Sequence, residues 1–467
     1  MATYHVSKDA SASDSNDGSD ATTNAWATIT ASVVKLSPGD ILEVHVGTYA
    51  ESVTPGGLGG VSWVSGSSGS RITIRAFNDS ATTTKGVSAG TDAVVIKPSS
   101  GNCIGFNTND AKYITIAGFV LDGDNSSDSS GISLNNDANN LIFRNCEIKN
   151  TAEDGIETSI GNGSATTDRN NLFQYLYIHN AGTLHSGNAK HGIYTRQRGN
   201  TFEHIDIAEC DSGSIQVYYG IASVHARNPH NNIIRYCILR ENMTEYHFQQ
   251  GGLFVGPYCT NLKFHNNLVY RHRDCGIDFS STAGSSTDHK IYNNTICDIG
   301  NGVTGNGEQG IRVLTNDYSL EIKNNLIYDV GGAAIEDTYG VATASNNFLN
   351  TGNPNFTGYT QGSAWNFTLT GSTPDTILTG GLDLGSEYYD DFAGTTRSGT
   401  FSIGAYASGI APDPPEDPVL VFPAPFLVTV NTPKLLDGFG IEDINDPDVG
   451  NYTFDVAVTA GSLNDGT

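Results

Sequence analysis

Lys190-His191-Gly192-Ile193-Tyr194-Thr195-Arg196 belongs to a series of Gly-Ile segments that recur along the chain, and titratable side chains crowd around this copy. The series includes Gly131-Ile132, Gly155-Ile156, Gly276-Ile277 and Gly310-Ile311, with looser copies at Ser214-Ile215, Gly252-Leu253 and Ala334-Ile335. Each is a short β-strand signal. The interval of roughly 20 to 40 residues is that of stacked structural repeats.

Two further phrases accompany it. One reads Asn139-Asn140-Leu141-Ile142-Phe143, Asn170-Asn171-Leu172-Phe173, Asn200-Thr201-Phe202, Asn231-Asn232-Ile233-Ile234 and Asn261-Leu262-Lys263-Phe264. The other reads Cys146-Glu147-Ile148, Leu176-Tyr177-Ile178, Ile205-Asp206-Ile207, Cys237-Ile238-Leu239, Leu268-Val269-Tyr270, Thr295-Ile296-Cys297 and Leu326-Ile327-Tyr328. Three short strands per repeat, broken by Asn and Gly, describe one coil of a parallel β-helix, whose strands pair with the coils above and below. Asn suits the corners, because it tolerates left-handed backbone angles and its amide can pair with copies in adjacent coils. Over about residues 100 to 350 the chain resembles the right-handed parallel β-helix (pectate-lyase-like) superfamily. That resemblance implies an all-β fold with three strands per coil and leaves the function open.

The bulk numbers agree. The 54 Gly and 2 Met fit a turn-rich β protein, and no apolar run is long enough to span a membrane. Seven Cys is an odd number. Cys146 and Cys237 fall on one column three coils apart, about 14 Å, too far to bridge, so the Cys read as small buried hydrophobes. A net charge of −26 argues against nucleic acid as a partner. Between His179 and Lys290, however, ten Lys and Arg face nine Asp and Glu, and ten of the twelve His lie there. Screening confines charge effects to about 8–10 Å, so this middle can still meet a polyanion.

Residues 1–100 read as an N-terminal cap with the first coils, in which Tyr4-His5-Val6 and Val44-His45-Val46 are strand signals, and 101–408 as the β-helix with a closing segment. Residues 409–420 are a Pro/Asp-rich linker. Residues 421–467 resemble the start of a cadherin-like or immunoglobulin-like module, too short to be complete. The opening Met-Ala-Thr-Tyr-His carries no secretion signal. The expected location is extracellular or at the cell surface, with a leader removed, or on a virion; the sequence leaves the oligomeric state open.

Alternation along each strand makes the Ile inward and its neighbours outward. One outward column reads Ser133, Glu157, Tyr194, Gln216, Phe254, Asp278, Arg312, Glu336, and a second runs through Arg196 and Tyr218. A third, at the end of the preceding strand, reads Lys149, His179, Ala208, Arg240, Arg271, Asp298, Asp329, and His185, Lys190, His191, His247, His272 and Arg273 lie in loops between them. Such a surface offers an acidic polysaccharide cations for its carboxylates, rings for its sugar faces and groups for proton transfer. Uronate β-elimination needs these three things: neutralise the C6 carboxylate, remove the C5 proton, and protonate the leaving oxygen. The expected catalytic residues are Tyr194 and His191 as acid and base, Arg196 and Arg271 as clamps, and Lys190 as an alternative base. His179, Tyr218, Arg240, His247, Phe254 and Asp278 are expected to bind substrate.

An acidic group, Asp122, Asp124, Glu153, Asp154 and Glu157, is the candidate ligand set for Ca²⁺. The family's motifs are only partly present. The Asp-Pro-His motif of mannuronan epimerases is absent, and Asn306-Gly307-Glu308-Gln309-Gly310-Ile311-Arg312 echoes the lyase run with Gln309 in place of a carboxylate. Asp390-Asp391 lies beyond the coils, which leaves Asp274 and Asp278 as the carboxylate pair for a hydrolase. The leading reading is a polysaccharide lyase acting on alginate or pectate. A non-catalytic carbohydrate-binding or adhesive spike is the rival, with a glycoside hydrolase or uronate epimerase third.

Overall fold

The computed structural model describes residues 1–56, 62–77, 93–106, 111–123, 129–135, 138–159, 167–182, 190–218, 229–241, 251–281, 284–300, 308–398 and 401–407. The chain divides into two units, Met1–Ala411 and Pro412–Thr467. The linker and the expected cadherin-like module lie outside the described residues.

The first unit is a parallel β-helix of three sheets with 12, 11 and nine strands, each strand hydrogen-bonded to the equivalent strand of the next coil. Its first strand is Thr3–Val6, its last coil ends at Phe348–Leu349, and a five-residue helix, Ile29–Val33, lies in the first coil. In the third sheet Ile156, Ile193, Ile215, Leu253, Ile277 and Ile311 pair in succession, all fully buried. The first sheet contributes an aromatic file in which Phe143, Phe173 and Phe202 stack at 5.2 and 4.9 Å. Each such side chain contributes roughly 1.5–3 kcal/mol by burial.

The Gly of the Gly-Ile phrase has a steric cause. A Cβ at Gly192 would lie 2.3 Å from Cγ2 of Ile207, and one at Gly155 would lie 2.5 Å from Cγ2 of Ile178. The chain passes against the second sheet's inward residue there, and only Gly fits.

The corners behave as the Asn content implies. Asn145, Tyr175, His204, Tyr236, Asn266, Asn293, Asn324 and Asn346 form one column with φ of 52 to 57°. Where Asn is missing, ring stacking offsets the strain, with Tyr175 to His204 at 4.8 Å and His204 to Tyr236 at 5.0 Å. Beside this column Asn267, Asn294, Asn325 and Asn347 form a ladder. The backbone N–H and Nδ2 of Asn294 both donate to Oδ1 of Asn325, at 3.0 and 2.9 Å. All seven Cys are buried and unbridged.

One register differs from the expectation. In the second sheet Arg240 pairs with Tyr270, and Tyr270 with Cys297. Arg271, Asp298 and Asp329 sit one residue later, at corners with φ of 54 to 57°. The slip arises because the later phrases begin with an outward residue (Leu268, Thr295, Leu326) and the earlier ones with a buried corner residue (Cys146, Cys237).

The closing segment lies on the outer face of the second sheet's last coils. Phe367 and Ala405 pack on Leu268, Tyr270 and Cys297, while Ile377 and Ile403 pack on Leu326 and Phe348. Asp391 belongs to this cover: its carboxylate accepts backbone N–H bonds from Ala393, Thr395 and Ala407 at 2.7 to 2.8 Å. That is a turn-holding role.

Candidate functional site

The third sheet's outer face carries the row Ser133, Glu157, Tyr194, Gln216, Phe254, Asp278, Arg312, Glu336, in the order the repeats imply. The repeat also explains what surrounds Tyr194. Glu153-Asp154-Gly155-Ile156 precedes Lys190-His191-Gly192-Ile193 by one coil, so equal positions meet. Lys190 forms an ion pair with Glu153. The backbone N–H of His191 donates to Oδ1 of Asp154 at 2.8 Å, and Nδ1 of the imidazole lies 3.4 Å from the same oxygen.

Nε2 of His191 is buried and has no hydrogen-bond partner among the described residues. The imidazole sits 5.9 Å, centroid to centroid, from the half-buried ring of Tyr194. Over that ring, at 4.6 Å, stands the guanidinium of Arg196, whose Nη2 is 3.6 Å from Glu157. Burial pushes the Tyr194 phenol up, against the pull of Arg196, so it keeps its proton at neutral pH. Burial, helped by Asp154 and Glu153, also raises Glu157 despite Arg196 and Lys190.

Beyond Tyr194 the face becomes aromatic and then charged again. Tyr218 lies across Gly256, where a Cβ would be 2.1 Å from the ring, and is 6.2 Å from Phe254. Arg312 joins two carboxylates, with Nη2 2.7 Å from Asp278 Oδ2 and 3.1 Å from Asp274 Oδ2. Burial raises Asp274 even so. Arg312 stands in the predicted row, opposite Asp278. Asp154 and Glu157, expected as metal ligands, are instead neighbours of His191 and Arg196, which the alignment of their repeat with the next one also implies.

The other expected residues lie elsewhere. His179 and Arg240 are on the second sheet: His179 is 2.9 Å from Glu147 and stacks on Tyr177 at 4.4 Å, and Arg240 binds Asp206 at 2.9 Å. Arg271, displaced to the corner, contacts Glu241 at 3.0 Å and covers Trp365 at 4.9 Å. It is therefore not grouped with Tyr194. His247 and His185 lie outside the described residues.

His272, expected in a surface loop, is fully buried, its Nε2 3.0 Å from the Leu239 carbonyl. His265 and His289 are fully buried as well. Burial lowers all three, His265 and His289 to about 3 and His272 to about 4, so they remain neutral. Much of the histidine richness is thus structural.

The Ca²⁺ set does not converge either. Asp122 faces Lys97 at 3.2 Å on the second sheet, while Glu153, Asp154 and Glu157 each have a cationic or imidazole neighbour on the third. Asp124 lies outside the described residues. A cage needing six to eight oxygens does not fit these engaged carboxylates.

The first unit is a right-handed parallel β-helix. Residues 102–296 match the family model described as "Right handed beta helix region". The pectate lyase Pel9A is 16% identical, with a TM-score of 0.53 over 87% of this chain and 96% of that one. XylC, solved with xylose, is 11% identical, with a TM-score of 0.51 over 87% and 98%. No curated protein matches. At these identities the likeness is one of fold. No helix among the described residues is long and apolar enough to cross a membrane.

Proposed function

We propose that the protein is an extracellular carbohydrate-active β-helix that cleaves an acidic, uronate-containing polysaccharide by β-elimination on the outer face of its third sheet. The supporting observation is the cluster of His191, Tyr194 and Arg196: an imidazole set against Asp154 with its other nitrogen unpartnered, a protonated phenol, and a guanidinium above it.

In this reading Arg196 and Lys190 exchange Glu157 and Glu153 for the C6 carboxylate of the sugar, and Tyr218 and Phe254 meet neighbouring sugar faces. Nε2 of His191 takes the C5 proton, the electrons form the C4–C5 double bond, and the C4–O bond breaks. The Tyr194 hydroxyl protonates the departing oxygen. Glu157, already raised by burial, takes up a proton as Arg196 leaves it, so no bare buried carboxylate remains. Ca²⁺ has no step here.

A second reading has one observation in its favour. Asp274 and Asp278 share Arg312, and burial raises Asp274, the asymmetry a hydrolase uses for acid and base.

Incubation with alginate, pectate and other uronate polymers separates these readings. β-Elimination produces the ultraviolet absorbance of an unsaturated uronate, and EDTA leaves its rate unchanged. New reducing ends without that absorbance would move the chemistry to Asp274 and Asp278. Retention on a polymer with no product would leave a binding or adhesive module.

A further inference from the structure

Ten of the twelve histidines lie between His179 and Lys290; the other two are His5 and His45, 40 residues apart. The fold brings these two together. Strand Thr3–Val6 pairs in parallel with Ile41–Val44, so that His5 stands opposite Glu43, and Val6, Leu42 and Val44 are buried. His45 follows directly, its N–H bonded to the Val6 carbonyl at 2.8 Å. As a result His5 Nδ1 and His45 Nε2 face one another at 3.1 Å, and Glu43 Oε2 is 3.7 Å from the same His5 nitrogen.

We propose that His5 Nδ1, His45 Nε2 and Glu43 Oε2 form a binding site for one divalent d-block cation of the Zn²⁺ type. The geometry is what such an ion needs. Tetrahedral metal–ligand bonds of about 2.0–2.2 Å place neighbouring ligand atoms about 3.3–3.6 Å apart, and the three residues each bring a ligand atom within 4.8 Å of the other two. Two imidazoles and one carboxylate are the donors this class of ion prefers to Ca²⁺ or Mg²⁺.

The carboxylate is also oriented. Arg75 Nη2 holds Glu43 Oε1 at 2.7 Å, leaving Oε2 on the histidine side. Phe77 stacks on His45 at 4.4 Å and fixes its ring plane. Without metal the imidazoles share one N–H···N bond; on binding, the donor ring shifts that proton to its other nitrogen, both facing nitrogens ligate the ion, and water completes its coordination.

The position suggests what the ion does. Thr3–Val6 is the terminal strand of the 12-stranded sheet, and beyond it isolated backbone bonds to Gly18 and Trp26 hold its outer side. A metal bound by its His5 and by the next strand's Glu43 and His45 clips that edge to the rod.

The test is calorimetric titration of the metal-free 467-residue chain with Zn²⁺, in excess Ca²⁺ to occupy surface carboxylates. One Zn²⁺ per chain is expected, with a higher melting temperature. His5→Gln and His45→Gln should each weaken binding by more than about a hundredfold and abolish that rise. Absence of saturable Zn²⁺ binding, or unchanged stoichiometry and affinity in the double variant, would overturn the proposal. Should the variants not fold, ¹⁵N chemical shifts of the wild-type imidazoles decide: one equivalent of Zn²⁺ must move His5 Nδ1 and His45 Nε2, and unmoved resonances reject the site.

Discussion

The second and third sheets are built from the same coils and the same inward file of Ile, Leu and Val, yet their outer faces have different fates. On the second sheet the late coils are covered by the closing segment, and the earlier ones carry ion pairs such as Lys149 with Glu147 and Arg240 with Asp206. On the third sheet Tyr194 is half-buried, and neighbouring coils place a phenol, an imidazole, a guanidinium and a raised carboxylate together. Inward residues are constrained by packing and outward residues are not, so one scaffold can devote one face to being covered and another to chemistry.

Turnover tests this division most strongly. Tyr194→Phe and His191→Ala are expected to lower kcat about 10²- to 10⁴-fold with KM little changed, whereas Arg271→Ala stays within about threefold. An Arg271→Ala loss as large as that of Tyr194→Phe would mean that both faces serve one site.

Stability tests the covered face. Phe367 is buried between the closing segment and Tyr270, 5.1 Å from that ring. Phe367→Ala should cost about 3–5 kcal/mol in urea unfolding and leave kcat unchanged. A fall in kcat at constant stability would show that the cover reaches the third face.

The corners come next. Asn294→Ala leaves the Asn267 amide and the Phe264 carbonyl without their buried partners. A loss of about 1–3 kcal/mol is expected from the same melts; no loss would mean the ladder is dispensable.

The smallest effect is acid sensitivity of the interior. His265, His272 and His289 have folded pKa values below the ordinary one near 6.5, so their contribution is complete above that pH. It declines as pH falls from about 6.5 toward about 4 for His272 and about 3 for His265 and His289, by roughly 1 kcal/mol per histidine at pH 5.5. His272→Gln should flatten that slope in melts at pH 7 and 5.5; an unchanged slope would place the titration in other groups.

Much of the rod could be read from the chain. The Gly-Ile phrase predicted the third-sheet row residue by residue, because alternation and coil stacking leave one register for a strand with one buried side. The second-sheet column went astray at Arg271, since a corner residue with positive φ adds a step that alternation does not register. The His-rich window was misleading for a related reason: whether a histidine points in or out depends on the coil's shape at that point.

What the sequence determined by itself was the repeat: a three-stranded coil, its inward file and its Asn corners, all set by local periodicity and backbone preference. Only the tertiary structure decided which charges meet. Lys190 with Glu153, His191 with Asp154, Arg312 with Asp274 and Asp278, and His5 with His45 are contacts between coils, and stacking, not proximity along the chain, sets the distance between them.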